Sequence, residues 1–216
     1  RSAFAIVPIL VFLALRGQLE TAWRTASPLS HVRRGLVGVS AMGLGFYGIM
    51  RLPLPDAIAI GYAMPLLTVV FAALFLGEKV RIFRWSAVAV GLGGVLVISW
   101  PRLSLFGEGF GSGEAQGAIA VLCSAALGAT AMILVRKLVL TEKTPTIVLY
   151  FSLTATVLSL ASLPFGWIVP DWSTLGLMAL AGFCGGLGQI LLTQSYRHAE
   201  VSTIAPFEYT SIVLGI

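Results

Sequence analysis

The sequence predicts an all-α integral membrane protein, a multi-helix bundle, and three observations carry that expectation. The 216 residues are 57% hydrophobic and only 11% charged, whereas a water-soluble domain devotes about a quarter of its residues to charge. The apolar residues gather into eight stretches, and of the 23 charged residues only Glu208 falls inside one. The stretches are apolar all round, without the polar-inward alternation that strands of a membrane barrel would show. The same composition excludes a disordered chain. The net charge of +5 comes from short basic clusters between apolar runs, with no patch interleaved with aromatics, so nucleic acid is not an expected partner.

Crossing about 30 Å of hydrocarbon takes about 20 helical residues. In chain order, residues 2–15 form the first apolar run, bounded by Arg16. Residues 36–50 are short for a span and rich in glycine, so they must borrow flanking residues or thin the bilayer. Residues 57–76 reach full length, with Pro65 inside. Residues 85–100 are short again. The runs 116–135, 146–169 and 173–195 are long enough, and 201–216 is the last. Eight membrane helices are the expectation.

Lys and Arg in the connections orient the helices, because cytoplasmic loops retain the positive charge. Connections 16–35, 77–84, 136–145 and 196–200 carry eleven such residues, while the opposite set with Arg1 carries three. The first set is expected in the cytoplasm. Residue 1 is then outside, and an odd number of helices, most simply one, is expected upstream. The glycine-rich stretch Pro101–Ala115 (PRLSLFGEGFGSGEA) divides the chain into a first part, 1–100, and a second, 116–216, and reads as a flexible linker.

Smaller signals have structural roles as their first reading. Gly43-Leu-Gly45-Phe-Tyr-Gly48 matches a dinucleotide-binding pattern but lies within an apolar helix, with no preceding strand; small residues there serve close helix approach. The run Gly182–Gly188 receives the same reading, with the sliding of a thin helix beside a cavity as its functional alternative. Cys123 and Cys184 lie in apolar runs and offer neither a disulfide framework nor metal spacing. Trp23, Trp85, Trp100, Trp167 and Trp172 sit at segment ends or in connections and read as interface anchors. Eleven arginines against three lysines, with no asparagine, fit a GC-rich bacterial gene, so the expected location is a bacterial cytoplasmic (inner) membrane.

Sliding the chain by 147 residues sets Tyr62 on Tyr209 and Tyr47 on Gln194. Identities are few, but a pattern recurs: a glycine-rich helix, a very short connection, then a helix opening with small residues and proline. By the charge count the two copies enter from opposite sides, as in an inverted repeat.

Two runs of sequence carry a family resemblance. Pro53–Val80 (PLPDAIAIGYAMPLLTVVFAALFLGEKV) resembles the fourth helix of EamA-type members of the drug/metabolite transporter superfamily, closed by Leu-Gly-Glu. His198–Ile216 (HAEVSTIAPFEYTSIVLGI) is similar to the start of that family's ninth helix, with its Ala-Pro-Phe-x-Tyr pattern. The resemblance implies ten helices in two inverted five-helix repeats; the first helix, the end of the ninth and the tenth would be absent here. It also implies a carrier for small organic metabolites, often an exporter, with a cavity lined by the third, fourth, eighth and ninth helices. In this chain those are 36–50, 57–76, 173–195 and 201–216.

Within these four stretches, Tyr47, Tyr62, Gln189, Gln194 and Tyr209 are the polar side chains with hydrogen-bonding reach, and they are the substrate-binding candidates. An unpaired polar group in hydrocarbon is costly, so each should face protein or a wet cavity; interfacial anchoring and helix–helix bonding are the competing roles. Pro65 and Pro206 each remove a backbone donor and are expected to kink their helices. Glu208, as an intramembrane carboxylate, is a candidate substrate counter-ion or proton-coupling group.

The function expected is therefore secondary transport of a small organic metabolite (amino acid, nucleoside, vitamin or drug-like compound) by alternating access, with protons as a candidate coupling ion. An integral-membrane enzyme and a non-transporting structural subunit are the alternatives. An enzyme would need acids, bases or metal ligands converging at one depth, yet His31 and His198 both lie in connections. No nucleotide-binding loop occurs, and no cofactor or metal is expected.

Overall fold

Helix forms at every one of the eight apolar stretches in the computed structural model, which describes residues 2–15, 17–103, 113–167 and 170–211. The elements are α1 (Ile6–Leu15), α2 (Pro28–Arg51), α3 (Leu54–Gly61), α4 (Ala63–Leu76), α5 (Ile82–Leu103), α6 (Gly113–Leu138), α7 (Thr144–Ala161), α8 (Trp172–His198) and α9 (Val201–Ile204). Short 3₁₀ turns follow α7 at Leu163–Phe165 and α9 at Ala205–Tyr209.

The boundaries correct the sequence expectation in four places. The short stretch 36–50 belongs to a 24-residue helix, α2, which begins at Pro28, a residue whose fixed φ and missing N–H suit the first helical turn. Stretch 85–100 likewise extends to 22 residues in α5, running through Pro101 to Leu103. With α6 starting at Gly113, both ends of the expected linker are helical, and residues 104–112 lie outside the described ones. Stretch 57–76 is two helices, broken at Tyr62. Stretch 146–169 stops being α-helical at Ala161. Among the described residues, five segments are long and apolar enough to cross a membrane unaided: Leu54–Leu76, Ile82–Trp100, Gly113–Leu138, Thr144–Ala161 and Trp172–His198. The ten residues of α1 fall short of that length, and α2 carries Arg33, Arg34 and Arg51.

The helices turn large apolar side chains outward: Leu96, Leu177, Trp172 and Leu191 are 62%, 68%, 89% and 70% exposed. In water such a surface would associate; in a bilayer it faces the solvent it matches. Hydroxyls within the helices bond back to carbonyls one turn earlier, as Thr68 does to Met64, Ser99 to Val95 and Thr156 to Ser152. Each polar group is thereby satisfied inside its own helix, as hydrocarbon requires.

The chain divides into two compact units, each drawing on both halves of the sequence. The first comprises Arg1–Val39 and Leu134–His198. There α1 packs on α7 and α8 around Ile9, Leu13, Val148, Leu149 and Ile190. A Cβ added at Gly186 of α8 would meet the Ala5 carbonyl oxygen at 2.6 Å and Pro8 Cγ at 2.7 Å, so the glycine permits the contact with the start of α1. Ahead of α2, the Glu142 carboxylate accepts hydrogen bonds from Thr25 Oγ1 (2.6 Å) and the Ala26 N–H (2.8 Å).

The second unit comprises Ser40–Ile133 and Ala199–Ile216. Here α4 packs on α5, α9 and the following 3₁₀ turn, and α3 packs on α5. Leu52, Ile60, Leu66, Val69, Val88, Val121 and Ala205 are among the side chains of its core. The end of α2 meets α6 through small residues: a Cβ on Gly48 would lie 2.3 Å from Val121 Cγ2, and one on Gly45 would lie 3.1 Å from Ser124 Oγ. Ser124 donates across this contact to the Ala41 carbonyl at 2.6 Å. Since lipid tails remove the hydrophobic drive between helices, such close packing and interhelical hydrogen bonds hold the elements together. The glycine pattern 43–48 serves packing at Gly45 and Gly48, whereas Gly43 has open space around it.

Candidate functional site

Two prolines build the site, both in the second unit. Pro65 has no N–H for the Gly61 carbonyl, and the helix breaks one turn earlier, with Tyr62 at φ −66°, ψ −2° between α3 and α4. Pro206 leaves the Ser202 carbonyl without its helical donor, and α9 tightens into the 3₁₀ turn Ala205–Tyr209. The two irregular points face each other. The Tyr209 hydroxyl donates to the Tyr62 carbonyl at 3.0 Å, and the two rings lie tilted with centroids 5.4 Å apart. The Tyr62 hydroxyl in turn bonds Ser211 Oγ at 3.0 Å.

Beside this pair lies a cavity of about 790 Å³ walled by α4, α5 and α9 with its 3₁₀ turn. Its walls are mostly apolar, with Leu66, Val69, Phe83, Val88 and Val95 among them. Gly91 also lines it; a Cβ there would meet Leu66 Cδ1 at 2.8 Å. The polar lining consists of Tyr62, Tyr209, Ser86, Ser202 and Arg84. Arg84 donates from Nη1 to Ser202 Oγ at 3.2 Å, leaving a guanidinium at the cavity wall.

One wall is fixed by a residue whose sequence context gives no sign of that role. Helix α4 ends on Gly77, whose φ of +69° turns the chain sharply, a conformation that costs a residue with a Cβ about 1–2 kcal/mol. The turn delivers Glu78 to the start of α9, where Oε1 accepts from the Val201 N–H and Oε2 from the Ser202 N–H, both at 2.9 Å. The carboxylate thus satisfies two otherwise orphaned donors at a helix start and anchors the segment that carries Pro206 and Tyr209. Leu-Gly-Glu stands out in the sequence as a motif; its partner, more than a hundred residues away, is visible only in three dimensions.

Of the residues expected from sequence, Tyr62, Tyr209, Pro65 and Pro206 all line this one cavity. Tyr47, also in the second unit, does not line it; its hydroxyl donates to Gln116 Oε1 at 3.1 Å, and its ring sits 5.2 Å from the Arg51 guanidinium. Glu208 is half-buried one residue before Tyr209, with Oε1 buried and lacking a hydrogen-bond partner among the described residues. Gln189 and Gln194 belong to the first unit, where Gln194 Oε1 accepts from Thr144 Oγ1 at 2.7 Å and its amide nitrogen meets His198 Nε2 at 3.0 Å. Among the described residues no group of three or more His, Cys, Asp or Glu could hold a metal ion.

Comparison with known proteins places this architecture. Residues 1–100 match the EamA-like transporter family. The chain is 30% identical to the pseudopaline exporter CntI of Pseudomonas aeruginosa over 98% of its own length and 72% of the exporter's. It is 26% identical to an S-adenosylmethionine uptake transporter of Rickettsia bellii, covering all of this chain and 70% of that protein. A riboflavin transporter of Rhizobium johnstonii is 29% identical over 99% of the chain and 68% of the relative. A crystal structure shares the fold with a TM-score of 0.73 at 21% identity, over 99% of this chain and 73% of that one. These relatives are transporters, not enzymes, and the five apolar helices make the chain an integral, multi-pass membrane protein. The chain belongs to the EamA-like transporter family.

Proposed function

We propose that the chain forms the core of a secondary carrier that moves a small organic metabolite across a bacterial inner membrane by alternating access, with the Tyr62–Tyr209 cavity as its substrate pocket. The observation that carries this reading is the meeting of two proline-broken segments at one cavity, joined by the Tyr209–Tyr62 hydrogen bond. At about 790 Å³ the space falls within the range of pockets that bury a drug-sized molecule, mostly apolar with a few placed polar groups. The tyrosine faces offer stacking for a planar or cationic portion of the substrate, and Arg84 offers a cation to an acidic one. Relatives named for pseudopaline, S-adenosylmethionine and riboflavin support a small-molecule cargo.

In this reading residues 1–100 and 116–216 are two inverted repeats joined by the glycine-rich linker. The 147-residue spacing of Tyr62 and Tyr209 and the eleven-to-three basic asymmetry support it, with the basic connections cytoplasmic. Protons are the proposed coupling ion at Glu208.

Flux of a metabolite panel through proteoliposomes, measured in both directions with the full-length protein, tests the assignment. Tyr62→Ala and Tyr209→Ala should each raise KM about tenfold, the loss of roughly 1.4 kcal/mol of binding. Unchanged affinity and rate at normal expression would remove both residues from the substrate path.

A further inference from the structure

The first unit holds a buried titratable pair that the carrier reading does not use. His31, on the first turn of α2, is 1% exposed, and neither Nδ1 nor Nε2 has a hydrogen-bond partner among the described residues. Leaving such buried polar groups unsatisfied is costly. Its ring stacks on Tyr150 with centroids 4.6 Å apart and an interplanar angle of 25°. Facing Nε2, at 3.8 Å, is Oε1 of Glu142, itself 7% exposed. That oxygen also receives the hydrogen bonds from Thr25 and Ala26 that hold the chain ahead of α2.

We propose that His31 and Glu142 form a proton-binding pair at the entrance to α2, separate from Glu208, which lies in the other unit. A proton arriving from water binds a ring nitrogen, no other bond being made or broken. The Nε2–Oε1 approach then becomes an ion pair, and closing it by about 1 Å makes it a charge-assisted hydrogen bond. Burial pulls the His31 imidazole below its ordinary value of 6.5, and the Glu142 carboxylate offsets only part of that. Other groups around the pair bias it. Arg34, one turn further along α2 and 3% exposed, holds its guanidinium 3.9 Å from the Phe151 ring centroid and opposes a second cation. Arg197 donates to the Glu142 backbone carbonyl, and Lys143 reaches Thr21 Oγ1 at 3.5 Å; Tyr150 supplies the stacking face. Because Glu142 also anchors residues 25–27, proton occupancy is linked to how firmly the segment before α2 is held.

Imidazole carbon shifts of the full-length protein in lipid nanodiscs test the pair without any substrate, so failure here and failure of the carrier reading are distinguishable. The resonance absent from His31→Gln is that of His31. Scanned over about pH 4 to 8, it should titrate with a midpoint below 6.5, and Glu142→Gln, which keeps an oxygen acceptor for Thr25 and Ala26, should lower that midpoint by about one unit, a tenfold weaker proton affinity. No titration across this range, or an unchanged midpoint in Glu142→Gln, overturns the proposal. Should Glu142→Gln not fold, the wild-type Glu142 carboxyl resonance serves instead: a shift at the His31 midpoint is expected, and its absence overturns the pairing.

Discussion

Glu78 is the sharpest place to perturb this protein, because one carboxylate there holds the start of α9. Both of its acceptors engage N–H groups of residues that are fully buried: Val201 and Ser202 are each 0% exposed, and both bonds measure 2.9 Å. Hydrogen bonds to charged groups contribute about 1.5–3 kcal/mol each. Glu78 itself is half-exposed, which places this pair at the low end, about 3 kcal/mol together. Glu78→Ala removes both acceptors and leaves two donors in a place water reaches poorly. Local opening of α9 should then become more frequent by about a hundredfold, at 1.4 kcal/mol per tenfold. Glu78→Gln keeps one acceptor and should raise it about tenfold. Amide exchange of a peptide covering residues 199–207, followed by mass spectrometry in nanodiscs, reads this opening directly. Protection equal to wild type in Glu78→Ala would refute the latch. Faster exchange with unaltered transport would instead separate the latch from the Tyr209 side of the cavity.

Three further outcomes follow from the same geometry. Gly48→Ala forces a Cβ to within 2.3 Å of Val121 Cγ2 and should destabilise the protein by about 1–3 kcal/mol, whereas Gly43→Ala meets open space and should leave the thermal midpoint unchanged. Glu142 answers to acid: burial opposes its ionisation, but hydrogen bonds from Thr25, Ala26 and Ser27 and the charge of His31 outweigh it and hold the carboxyl below its ordinary value of 4.5. A depressed pKa contributes stability above that value and loses it as pH falls through the folded-state pKa, so the stability gap between wild type and Glu142→Gln should close below about pH 4.5; a gap that stays constant down to pH 3 contradicts this. Glu208→Gln keeps shape and removes ionisation. It should abolish the pH dependence of flux or flux itself, and unchanged transport from pH 5 to 8 would leave Glu208 structural.

The membrane character of the chain was legible in its residues because hydrocarbon imposes a length and a polarity on every crossing segment. Each of the eight apolar stretches contains helix among the described residues, and the prolines at 65 and 206 marked where two of them depart from regular geometry. These are local consequences of composition, of hydrogen bonds lost at proline, and of glycine tolerated where helices touch. Boundaries were less legible: α2 begins at Pro28 rather than at residue 36, since a helix inside a protein can carry Arg33 and Arg34 once a tertiary neighbour such as Phe151 covers one of them. Partnership was not legible at all. Nothing near Glu78 in the sequence names Val201, and nothing near His31 names Glu142; both appeared as charges in connections, where solvent would be the default partner. Only the tertiary structure brings these residues, more than a hundred positions apart, face to face. Local sequence encodes which backbone donors a helix start leaves open, but which distant carboxylate closes them is decided by how the helices pack.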